Sequence, residues 1–154
     1  MMTSHTARHL DTPKILLVDD NRNGLLVRKA LLEEVGFNVQ TATSGEEGLA
    51  LFTASPFDVV VTDYRMPRMD GSELIQKIRR HNPNARIILL SGFVEPLGLT
   101  EQGTGADVVL SKTAKEATQL LRSVKRLLNQ PSTRKPPASQ AAAAKAAARI
   151  RMRI

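Results

Sequence analysis

Between Lys14 and Asn129 the sequence alternates between two hydrophobic patterns, and this alternation limits the fold more than any other feature. Short apolar runs rich in Val, Ile and Leu ("KILLV", "FNVQTA", "FDVVVTD", "ARIILLSG", "ADVVLSK") each precede a longer stretch. Four of those stretches have helical spacing. In "RNGLLVRKALLEEVG" the apolar residues Leu25, Leu26, Val27, Ala30, Leu31, Leu32 and Val35 recur as on a helix, and Gly36 suits its C-terminal cap. "SGEEGLALFTAS" opens on Ser44 with Glu47 three positions on, the spacing of a capping box. "GSELIQKIRRH" is closed by Asn82-Pro83, and "AKEATQLLRSVKRLLN" is a strong last helix. "VEPLGLTEQGTG" is the weak one, interrupted by Pro96, Gly98, Gly103 and Gly105. Five strand–helix units of this kind predict an α/β fold, a parallel sheet with right-handed crossovers. "FNVQTA" alternates as a short strand, while the other runs are mainly apolar, as strands covered on both faces are.

The chain has 154 residues, about one domain. It has no cysteine, which excludes disulfides, thiolate metal sites and a cysteine nucleophile. No apolar run approaches the roughly 18–20 residues of a membrane span, and "MMTSHTARHLDTP" lacks the apolar core of an export signal. A cytoplasmic location is therefore expected. The net charge of +7 is unevenly distributed. Residues 131–154 hold six of the 22 basic residues and none of the 15 acids, so residues 1–130 are nearly neutral. The reading is a polar leader over 1–13, a folded body over 14–129, and a basic, Ala/Pro-rich tail or linker over 130–154.

Ligands of an open parallel α/β sheet gather beyond the C-terminal ends of its strands. There the sequence places Asp19-Asp20 after the first run, Asp63 after the third, Ser91-Gly92 after the fourth and Ser111-Lys112 after the fifth. Taken singly, each is ordinary turn or cap chemistry. Together they put three carboxylates, a hydroxyl and a lysine on one edge. Adjacent carboxylates repel unless a cation neutralises them, and a hard cation such as Mg²⁺ suits a few carboxylates plus water. One carboxylate of such a set can act as a nucleophile toward a phosphoryl group.

The motifs "LLVDDN", "VVVTDYRMPRMDG", "IILLSG" and "GADVVLSK" make the body resemble the receiver domain of two-component response regulators, over roughly Lys14 to Asn129. The resemblance implies a flavodoxin-like (βα)₅ doubly wound parallel sheet in strand order 2-1-3-4-5. It implies that Asp63 accepts the phosphoryl group. Asp20 and Asp63 would hold Mg²⁺ (or Mn²⁺) together with the main-chain carbonyl of Arg65, with Asp19 helping directly or through water. Ser91 and Lys112 would bind the phosphoryl group and report its arrival. The donor would be a histidine kinase or a histidine phosphotransfer protein, so the chain would be no conventional enzyme. It would signal by protein–protein contact without a separate output domain. The surface of helix 4, strand 5 and helix 5 is a candidate dimer face.

Two departures bear on output, and a further pair of residues bears on lifetime. Val109 stands where most of the family has Tyr or Phe, so a ring-rotation switch is absent. Thr113 follows Lys112 where the family usually has Pro after a cis peptide; a cis bond before a non-proline costs about 2.5–4 kcal/mol. Arg65 and Phe93 lie two residues beyond Asp63 and Ser91, where the family tunes dephosphorylation, and their bulk predicts a longer phosphoryl lifetime than in fast motility-type receivers. The alternative reading is a receiver-type adaptor whose basic tail binds nucleic acid or an anionic surface. Nucleic acid is not expected except through that tail, which has no aromatic residue to stack on bases. A small-molecule phosphatase would normally carry a second acid at position 65, and a P-loop motif is absent.

Overall fold

A computed structural model describes residues 12–92 and 98–130; Phe93, residues 1–11 of the leader and residues 131–154 of the basic tail lie outside the described residues. The expected alternation is present in full. The elements in chain order are β1 (Lys14–Val18), α1 (Arg22–Glu34), β2 (Asn38–Ala42), α2 (Gly45–Ala54), β3 (Val59–Asp63), α3 (Gly71–His81), β4 (Ile87–Ser91), α4 (Glu101–Thr104), β5 (Val108–Ser111) and α5 (Glu116–Leu128). The five strands form one parallel sheet in the order β2-β1-β3-β4-β5, so the predicted flavodoxin-like topology holds.

Two apolar clusters sandwich that sheet. On one face, Ile15, Leu17, Val59, Val61, Ile88 and Leu90 pack with Leu25 and Leu32 of α1 and with Leu120, Val124 and Leu127 of α5. On the other, Leu16, Val18, Val60, Ile87 and Leu89 pack with Leu74, Ile75 and Ile78 of α3. Successive strand residues point to opposite faces, so runs without polar interruption are what a doubly covered strand requires. Arg79 is the large buried cation of α3. Its guanidinium donates to the carbonyls of Gly105, Pro83 and Ala85 and pairs with Asp107, tying α3 to the loops that bracket β4 and β5. Among the described residues no helix is long and apolar enough to cross a membrane.

Side-chain caps start the helices that flank the acid-bearing edge. Asn21 accepts from the amides of Asn23 and Gly24, and Asp70 accepts from Glu73. The Ser44 hydroxyl accepts the Glu47 amide at 3.1 Å, as its spacing predicts. The reciprocal half of the box differs: the Glu47 carboxylate takes the amide of Thr43 at 2.7 Å and its hydroxyl at 3.2 Å, one residue before the cap. Ser44→Ala is expected to lower stability by about 1 kcal/mol, read as a drop in urea midpoint at unchanged m-value. The weak fourth helix is a single turn of four residues, capped by Thr100 and ended by Gly105 at φ 84°. Gly36, at φ 100°, turns the chain out of α1 in the left-handed region that favours glycine.

Candidate functional site

The acid pocket is assembled by strand ends. β1 delivers Asp19 and Asp20, β3 ends on Asp63, β4 ends on Ser91, and the segment after β5 carries Lys112. β4 and β5 are paired so that Ser91 lies opposite Ser111, and the Lys112 amide donates to the Ser91 carbonyl at 3.0 Å. The register and this hydrogen bond fix where the lysine side chain begins. The sequence placed all five side chains on this edge, and the structure brings the three acids and Lys112 into contact.

Carboxylate oxygens of Asp19, Asp20 and Asp63 lie within 4.8 Å of one another. Asp19 and Asp63 are buried and Asp20 is exposed. Lys112 Nζ stands 2.5 Å from Asp63 Oδ1 and 3.7 Å from Asp19 Oδ2. Burial pushes the Asp63 carboxyl up from its ordinary value, and Asp19 pushes the same way; the Lys112 ammonium pulls against both. Beside the acids lies an open cleft of about 450 Å³ lined by Asp20, Tyr64, Arg65, Met66, Pro67 and Asp70. Three carboxylates at this spacing, one of them open to solvent and next to a cleft, fit a hard divalent cation that keeps several of its waters.

The loop that follows β3 closes tightly on the site. The Gly71 amide donates to the Tyr64 carbonyl at 2.8 Å, and Arg68 adopts a positive φ of 70° within it. The Lys112–Thr113 peptide is trans, as are all others among the described residues, and the lysine reaches Asp63 from that geometry. Val109 is half-buried against the α3-side cluster. Arg65 is exposed at the cleft.

Arg28 was not foreseen among the pocket residues. It is buried on α1, its Nη1 2.9 Å from Asp19 Oδ2 and its Nε 2.6 Å from Glu116 Oε2. Burial works against its charge, but the Glu116 and Asp19 carboxylates more than offset that, and the guanidinium is held above its ordinary value. The available signal was its position: Arg28 shares the arc of Leu25 and Leu32, the buried face of the helix.

The family model for the response regulator receiver domain matches residues 15–125. The chain is 38% identical over 81 residues to a response regulator receiver protein of Anaeromyxobacter sp. (strain Fw109-5), covering 53% of this chain and 34% of that one. It is 35% identical over 103 residues to the transcriptional regulatory protein GlrR of Escherichia coli (strain K12), covering 65% of this chain and 22% of that one. The chain thus spans 34% and 22% of the length of these two curated relatives. Among solved structures, a receiver domain protein from Clostridium thermocellum superposes with a TM-score of 0.69 at 34% identity, over 76% of this chain and 94% of that one. The response regulator TrrA from Thermotoga maritima, in complex with Mg²⁺-BeF, superposes with a TM-score of 0.68 at 33% identity, over 75% and 98%. With the (βα)₅ topology, the acid cluster at its strand ends and the family match over residues 15–125, the chain belongs to the response regulator receiver domains.

Proposed function

We propose that Asp63 is the phosphoryl acceptor of a phosphorelay receiver and that the neighbouring acids hold the Mg²⁺ (or Mn²⁺) the transfer needs. The observation that carries this is the contact between Asp63 and Lys112 inside a three-carboxylate cluster. Asp20 and Asp63, with the main-chain carbonyl of Arg65, would hold the cation. Asp19 would help directly or through water, its oxygens already steadied by hydrogen bonds from Asn21 and Arg28. The T. maritima relative bound to Mg²⁺-BeF supports this choice of metal. When bound, the cation draws charge from the phosphoryl oxygens and lets the acids sit together.

The residues then divide the work. An ionised Asp63 oxygen attacks the phosphorus and the donor's nitrogen leaves. Lys112, already on Asp63, would pair with an equatorial phosphoryl oxygen, and the Ser91 hydroxyl would hydrogen-bond another. A histidine kinase or phosphotransfer protein supplies the group. The output is a change in protein–protein contact, biased by the added charge at the ends of β3, β4 and β5. Arg65, exposed at the cleft, lengthens the phosphoryl lifetime by obstructing the attacking water. The phosphatase class is disfavoured, since Arg65 stands where such enzymes normally carry a second acid, two positions beyond Asp63.

The test is incubation with Mg²⁺ and a small phosphodonor such as acetyl phosphate. One acid-stable, base-labile phosphoryl group per chain is expected, lost when the metal is chelated. An unlabelled chain in Mg²⁺ would overturn the proposal. The same cation should raise stability with concentration, by about 2.7 kcal/mol at a hundred times its Kd.

A further inference from the structure

Arg28 brings a second fixed positive charge to the pocket, and two features show that its place is built rather than incidental. The first is Gly24, one turn earlier on α1. A Cβ there would meet Arg28 Nη1 at 3.0 Å and Asp19 Oδ2 at 3.4 Å. Gly24 lies in the first turn of α1, where the absence of a side chain leaves room for the guanidinium to reach the acid. The second is Glu116, the first residue of α5, which takes Arg28 Nε at 2.6 Å and Nη2 at 3.3 Å. One planar fork thus joins an acid of the pocket to an acid outside it.

The charges explain the pairing. Asp19, Asp20, Asp63 and Lys112 together carry two negative charges, the complement of one divalent cation. Arg28 alone would halve that. Glu116 cancels Arg28 and restores it. We propose that Arg28 and Glu116 form a charge-compensated pair that sets the divalent-cation affinity of the pocket: Arg28 weakens binding through Asp19, and Glu116 limits how much of that charge Asp19 feels. The inference rests on the reading of the acids as a Mg²⁺ site.

A charge role and a structural role give opposite patterns. Removing Arg28 as Arg28→Met leaves Asp19 held by the Asn21 amide at 2.9 Å and with Lys112 nearby, so Mg²⁺ should bind about tenfold more tightly at low salt. Glu116→Gln keeps the shape of the side chain and should weaken Mg²⁺ about tenfold. The double variant returns the pocket to its original charge and should bind like the parent. Affinity is read by calorimetric titration with MgCl₂, with the fluorescence of Tyr64, the single tyrosine and a cleft residue, as an independent signal. Single variants that both weaken binding, or a double variant that adds their losses, would overturn the proposal. If Arg28→Met does not fold, Glu116→Gln decides alone, and unchanged affinity there overturns it. A parent chain that binds no Mg²⁺ would instead remove the metal reading itself.

Discussion

Asp63→Asn is expected to reduce phosphoryl uptake to background and, at the same time, to make the metal-free fold more stable at neutral pH. The two effects share a cause. Asp63 is 6% exposed and faces Asp19, so its ionised form is costly in the folded chain. Its carboxyl is raised above the ordinary value, which means the folded chain binds its proton more readily than the unfolded chain does. In acid, below the ordinary carboxylate range, both states are protonated and the residue costs nothing. As pH rises through that range and then through the folded value, stability is lost and stays lost. Asn removes the charge without removing the shape. The stabilisation should therefore be present at neutral pH and vanish on acidification. Urea denaturation of parent and variant in metal-free buffer at the two extremes checks this. A variant less stable than its parent at neutral pH would show that the Lys112 contact outweighs the burial of the acid.

Gly71→Ala is expected to cost about 3 kcal/mol, with loss of phosphorylation as a consequence. Alanine is the better helix residue by about 1 kcal/mol, so propensity predicts a gain at the first position of α3. Sterics decide otherwise. The new Cβ would lie 2.3 Å from the main-chain oxygen of Asp63, 2.8 Å from Leu89 Cδ1 and 3.0 Å from Tyr64 Cα. The nearest of these is backbone at the end of a buried strand, which cannot swing aside as a side-chain tip can. Relief must come from moving α3 or the end of β3, and either displaces the reactive carboxylate. Gly92→Ala is the control, because a Cβ there meets nothing within 4 Å. The urea midpoint should fall sharply for the first variant and stay near the parent's for the second.

The fold was legible because its signal is carried by many residues at once. Most strands are apolar runs, the edge strand β2 alternates instead, and the change to helical spacing marks each crossover. The pocket was legible for a related reason: topology puts strand ends together, so acids at those ends must meet. Arg28 escaped because hydrophobic periodicity sorts residues by type. Leu26 and Val27 were counted with the apolar stripe, yet they are 65% and 69% exposed, while Arg28 turns inward with Leu25 and Leu32. A single ion pair 88 residues apart in sequence, Arg28 with Glu116, leaves no periodic trace. The trans peptide after Lys112 is likewise a property of one loop, beyond the reach of pattern.

β5 is an edge strand, and an edge strand carries hydrogen-bonding groups that its own sheet does not use. The Lys112 amide points to β4, so the Val109 amide, three residues earlier, points the other way. That donor is taken by Glu101 Oε2 at 3.1 Å, from the one-turn helix α4. A foreign strand seeking to extend the sheet would have to displace a carboxylate and face its charge. The short, glycine-weakened α4 therefore shields the rim of the sheet against strand addition and aggregation.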